Sequence, residues 1–185
     1  MADVYLPADS QRRLMEIARQ TLEGVIRRCP YNAENIDPYL EKISYGAFVT
    51  LFNQDELRGC VGTCTPSSVL REVVMEMTEA AATRDRRVAP VRAAELDQIH
   101  IDISVLSPLQ RSDDPLTLEI GKHGLHVERD QKRGVLLPQV AVEYGWDMAT
   151  FLEQTCVKAD LPKEAWRWRD TAVCAFTALI IEEDK

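Results

Sequence analysis

Two incompatible hydrophobic periods share this chain. Leu14, Ile17, Ala18, Thr21, Leu22, Val25, Ile26 and Cys29 recur at three-and-four spacing, the period of an amphipathic helix. Ile99, Ile101, Ile103 and Val105 recur at every second residue, with His100, Asp102 and Ser104 on the opposite phase, as in a half-exposed strand. A fold that holds both must lay helices on a sheet.

The remaining segments fill in that scheme. Asp9 or Ser10 is expected to cap the first helix, Arg27 and Arg28 suit the negative end of its dipole, and Pro30 stops it. Cys29 falls on the stripe and is expected to be buried. Tyr45 to Asn53 reads as a strand, Gln54-Asp55-Glu56 as a turn, and Leu57 to Thr63 as a returning strand broken by Gly59 and Gly62. Thr65 and Pro66 look like the cap and first residue of a second helix, buried through Val69, Leu70, Val73, Val74, Met77, Ala80 and Ala81. Leu125 to Arg129 and Val135 to Leu137 read as a hairpin joined by Asp130 to Gly134, Asp147 caps a further helix, and Thr171 to Ile181 reads as a last strand. Hairpins and helices in mixed order favour α+β over a doubly wound parallel sheet. One pattern also occurs twice: Gly46 to Gly59 and Gly124 to Gly134 each run apolar strand, acidic turn, Arg-Gly, with a proline soon after. Each half is thus expected to hold a hairpin plus a helix.

Bulk properties bound the function. At 185 residues the chain suits one domain spanning 1–185, or two tightly packed halves. No apolar run approaches the roughly 20 residues that span a bilayer, so no membrane role is expected. Met1 to Ser10 lacks a basic segment followed by an apolar stretch, and five scattered cysteines suit a reducing compartment, so the cytoplasm is the expected location. A net charge of −8 disfavours nucleic acid, whose phosphates demand a basic footprint.

Chemistry concentrates in Arg58 to Ser68. Gly59 and Gly62 permit close backbone approach, the turn feeds a helix N-terminus that favours an anion, and Arg58 adds positive charge. These conditions make Cys60 a candidate nucleophile, with a small buried core thiol as the equal alternative. Arg87 is suited to hold a carboxylate or phosphate, with Asp85 beside it. Gly121-Lys122-His123-Gly124 sets an amine and an imidazole in a turn, and His123 is the best general-base candidate among three histidines. His100 and His126 occupy polar strand phases and read as surface residues. Cys60 with Cys64 and His123 with His126 fall short of four tightly paired zinc ligands, so no metal is assigned and no cofactor is named.

These residues resemble the AMMECR1 family. The match rests on Leu57-Arg58-Gly59-Cys60-Val61-Gly62, Asp85-Xaa-Arg87 before Pro90, Ser104-Val105-Leu106, Gly121-Lys122-His123-Gly124, Leu136-Leu137-Pro138-Gln139-Val140, Gly145-Trp146-Asp147 and Cys156-Xaa-Lys158-Ala159. Val88 stands where the family usually has Phe, and Asp160 where it usually has Gly. The resemblance implies an α+β fold of two repeats around a strongly curved mixed or antiparallel sheet with flanking helices. It also implies a cleft where Arg58, Gly59, Cys60, Gly62, Asp85, Arg87, Lys122, His123, Gln139 and Lys158 gather, but no established reaction. Its implied partners are a Memo-like protein and a radical S-adenosylmethionine protein. The expectation is a small-molecule or peptide-modifying enzyme, or its substrate-binding subunit, acting on an anionic small molecule. A non-catalytic protein-interaction module and a regulatory nucleic-acid binder are the alternatives.

Overall fold

The structure is a computed structural model that describes residues 3–29 and 37–183. The described chain divides into two compact units, one built on Tyr5–Leu106 with the C-terminal strand, the other on Ser107–Ala178. The class is α+β, with one four-stranded sheet in each unit rather than a single curved sheet. Among the described residues no helix is long and apolar enough to cross a membrane.

The first unit opens with α1 (Ala8–Arg27), whose expected stripe is buried from Leu14 to Leu22. Neither expected cap is used. Pro7 stands at the N-cap, Asp9 joins the first turn where its charge suits the dipole, and Ser10 is buried. Arg28 turns left-handed at φ 56°, so Cys29 leaves the helical phase and is exposed rather than buried. Pro30 lies outside the described residues.

A hairpin follows, β1 (Gly46–Asn53) and β2 (Glu56–Thr63), joined by the two-residue turn Gln54-Asp55. Next come α2 (Leu70–Thr83) and β3 (Ile99–Leu106), which pairs antiparallel with β1. With β8 (Ala178–Glu182) the sheet order is β2-β1-β3-β8, which leaves β2 at an edge. The second helix starts later than Thr65-Pro66 suggests: Val69 is its N-cap, and the Leu70 N–H bonds the Ile43 carbonyl at 2.8 Å.

The second unit repeats the plan. β5 (Gly124–Arg129) and β6 (Lys132–Leu136) form a hairpin with a tighter turn than expected, Asp130-Gln131. Two helices follow, α3 (Pro138–Glu143) and α4 (Met148–Lys158), the latter capped by Asp147 accepting the Thr150 N–H at 2.8 Å. β7 (Ala172–Phe176) then pairs antiparallel with β5, as β3 does with β1. The short β4 (Gln110–Arg111) completes the order β4-β7-β5-β6. The apolar run from Thr171 to Ile181 is therefore two strands, β7 and β8, in different sheets.

The repeated Arg-Gly has a geometric basis. Gly59 faces Leu51 and Gly134 faces Val127, each the third pair from its turn. A Cβ on Gly59 would stand 2.0 Å from the Ala81 carbonyl oxygen of α2. A Cβ on Gly134 would stand 2.6 Å from the Thr155 oxygen and the Ala159 nitrogen at the end of α4. Glycine is what lets each helix lie on its hairpin.

Candidate functional site

The Leu57-to-Gly62 segment lies within β2, and its register explains its residues. Leu51 faces Gly59 while Phe52 faces Leu57, so Arg58 is the extra residue of a bulge. Its guanidinium reaches Glu95 in the 3₁₀ turn Ala93–Gln98, at 3.1 and 3.2 Å to the two carboxylate oxygens. Glu95 also accepts the Arg92 N–H at 2.8 Å, and these contacts hold its carboxyl below the ordinary range. Gly62 faces Phe48, whose ring fills the place of a side chain there, 2.2 Å from a Cβ position.

Cys60 is fixed by its backbone. Because β2 is an edge strand, its outward N–H and C=O have no neighbouring strand among the described residues. Asp85 Oδ2 accepts the Cys60 N–H at 2.8 Å, and Arg87 donates to the Cys60 carbonyl at 2.8 Å. Arg87 also grips Asp85 through both oxygens at 2.7 and 3.0 Å. The Asp85 side chain is only 5% exposed, against 55% for Arg87. The guanidinium beside it, with the two backbone N–H groups, holds the Asp85 carboxyl well below the usual range, and the pair pushes Arg87 up.

The thiol itself is half-buried on the sheet face away from α2. Thr50 Oγ1 lies 3.3 Å from Cys60 Sγ. Thr50 faces both Cys60 and Asp102, so the three side chains form one row across β2, β1 and β3. His100, two residues along β3 on the same face, places Nε2 3.1 Å from Asp102 Oδ1. Burial raises the Asp102 carboxyl, opposed by the histidine. Asp102 and His100 line a cleft of about 680 Å³ with Phe52, Gln54, Asp55, Gln98 and Glu182. The polar phase of β3 signalled these residues in the sequence, where they read only as surface.

Six of the expected site residues thus belong to the first unit: Cys60, Asp85 and Arg87 meet directly, while Arg58, Gly59 and Gly62 adjoin Cys60 on β2. Cys60 does not stand at a helix N-terminus, since α2 begins ten residues on at Leu70. Cys64 is half-buried, and burial pushes its thiol up to about 12.

The other four belong to the second unit. His123 is buried, and its Nδ1 accepts the Glu119 N–H at 2.9 Å, which puts the neutral ring's proton on Nε2. Lys122 beside it is exposed, Gln139 is half-buried in the first turn of α3, and Lys158 is exposed at the end of α4. His126 is buried rather than superficial, and burial lowers its pKa. Asp160 adopts φ 59°, the left-handed backbone that glycine takes without strain.

Known proteins are similar to this chain. The family model described as AMMECR1 matches residues 15–181. A protein from Methanothermobacter thermautotrophicus is 40% identical over 190 residues, covering 97% of each chain. One from Thermococcus gammatolerans is 41% identical over 184 residues, 92% of this chain and 89% of its own. The crystal structure of the uncharacterized protein PH0010 from Pyrococcus horikoshii superposes with a TM-score of 0.88 at 35% identity, covering 97% of this chain and 94% of that one.

Proposed function

The chain belongs to the AMMECR1 family, and on that premise we propose that it is a substrate-binding component of a small-molecule or peptide-modifying system. The observation that carries this reading is the row Cys60–Thr50–Asp102, clamped at one end by Asp85 and Arg87 and opening at the other on the His100 cleft. A clamped backbone gives a preorganised contact surface, which lowers the ordering cost of binding. Arg58, a group that would activate Cys60 as a nucleophile, is engaged by Glu95, and Arg87, which lies beside Cys60, is held by Asp85 and by the Cys60 carbonyl. Cys60 is accordingly a contact residue, and bond-making falls to a partner. The family resemblance supports a Memo-like protein and a radical S-adenosylmethionine protein in that role.

The cleft lining favours a ligand other than the anionic one that the arginines suggest by themselves. Asp55, Asp102 and Glu182 line it, together with the His100 imidazole. The part of the ligand that enters is a neutral polar or cationic group, such as a peptide amine. Nuclear magnetic resonance titration with short lysine-containing peptides and their glutamate counterparts tests this. Shifts at His100 and Phe52 with the lysine peptides, retained in Cys60→Ser and weakened in Asp102→Asn, are expected. Response to the glutamate peptides alone, or binding of the lysine peptides unchanged in Asp102→Asn with the fold intact, overturns it.

A further inference from the structure

A separate cleft of about 340 Å³ lies within the second unit, between the end of β4, the 3₁₀ turn Lys163–Arg167 and the start of β7. Its frame is tightly held. Ser112 N–H bonds the Val173 carbonyl at 2.9 Å, and Thr171 N–H bonds the Trp168 carbonyl at 3.1 Å. The Arg129 guanidinium lies 4.5 Å from the centre of the Trp168 ring and bonds Asp170 at 2.7 and 3.0 Å. Arg167 stacks on Trp166 at the same 4.5 Å.

Two residues of the lining carry shielded polar atoms that lack a partner. Thr171 is 5% exposed and its Oγ1 has no hydrogen-bond partner among the described residues, and Trp166 Nε1 is likewise shielded and unpartnered among them. Buried polar atoms are nearly always hydrogen-bonded, and an indole N–H can only donate. At the rim, the exposed Arg111 and Arg169 form no ion pair among the described residues, and a guanidinium also only donates. Asp113 and Asp114 share the lining and leave it net positive by one charge.

The geometry points to this cleft as a binding site for a small organic oxyanion, a carboxylate or a phosphate ester. Its oxygens meet Arg111 and Arg169 at the rim. The Trp166 and Thr171 donors, shielded as the side chains stand, must turn toward the cleft to reach the same group. Its apolar body lies against Pro115 and Val173. The volume suits a metabolite-sized molecule, and planar guanidinium forks match both oxyanions.

The indole N–H resonances give a direct readout, because the chain has three tryptophans and Trp166→Phe identifies the relevant peak. Benzoate, phenyl phosphate and inorganic phosphate are titrated separately. Saturable movement of the Trp166 peak by benzoate or phenyl phosphate, with Kd of about 0.1–1 mM, and a still Trp146 peak are expected. Whichever of the two binds more tightly assigns the head group. Replacing Arg111 and Arg169 together by Gln, both exposed and outside the core, weakens binding about tenfold or more. A Trp166 peak unmoved by all three anions, or moved equally in the double variant, overturns the proposal. Equal movement by inorganic phosphate removes the organic body from it.

Discussion

The Asp85 carboxylate accepts the backbone N–H of Cys60 at 2.8 Å across 25 residues of chain. With Arg87 on the Cys60 carbonyl, it supplies the hydrogen bonds that a neighbouring strand would give to β2. Asp85→Ala leaves that N–H without its partner and costs about 1–3 kcal/mol in urea denaturation. The pH dependence has a fixed sign. A carboxyl held low in the folded state adds stability above its unfolded pKa of about 3.9, and that stability is lost as pH falls below it. Asp85→Asn shows a correspondingly smaller loss on the acid limb.

The two helix-bearing glycines respond alike. Gly59→Ala and Gly134→Ala each drive a methyl into helix backbone, at 2.0 and 2.6 Å. Each is expected to cost about 3 kcal/mol or more, since backbone cannot rotate away as a side chain can. Gly145→Ala meets no atom within 4 Å but sits at φ 65°, so its cost is strain alone, about 1–2 kcal/mol. Thermal denaturation of the three variants checks the ordering.

The sequence made the regular elements legible where one face is buried: the stripe of α1 from Leu14 to Leu22 and the alternation of β3 from Ile99 to Ile103 carry through to the structure, whereas Ser104 on the polar phase is buried. Its failures have physical reasons. His126 reads as outward by alternation, but β5 runs between β6 and β7, and Gly124 to Val127 are all buried. Thr65-Pro66 carries the chemistry of a helix start, yet the bond from Leu70 to the Ile43 carbonyl delays the helix. In the candidate site, Asp85 and Arg87 were recognisable as a local pair. Their attachment to Cys60 was not, because an edge-strand partner 25 residues away leaves no periodic trace.

His126 gives a pH-sensitive core. It is 4% exposed, its Nδ1 has no partner among the described residues, and burial lowers its pKa below the ordinary value. A depressed folded pKa means stability present above the unfolded value of about 6.5 and lost as pH falls below it. Denaturation midpoints measured downward from neutral pH are expected to decline, with a flatter profile in His126→Phe.

Asp160→Gly is expected to stabilise the protein by about 0.5–1 kcal/mol, because the residue after the α4 cap is left-handed at φ 59°. The Asp160 carbonyl that accepts Lys132 Nζ at 2.6 Å remains in the variant. Chemical denaturation with an unchanged slope checks it.

Whether Cys60 is a positioned contact or an activated nucleophile is tested by its alkylation. Burial pushes Cys64 up to about 12 and raises Cys156 and Cys174, and Cys29→Ser removes the exposed thiol. The Cys60 rate is then followed by mass spectrometry between about pH 6 and 10, with and without Arg58→Ala. The account predicts one rate–pH profile for both proteins, because the Arg58 guanidinium is held on Glu95. A profile that moves up by about one pH unit in Arg58→Ala, with Cys60 in the parent reacting far faster than free glutathione, would contradict it.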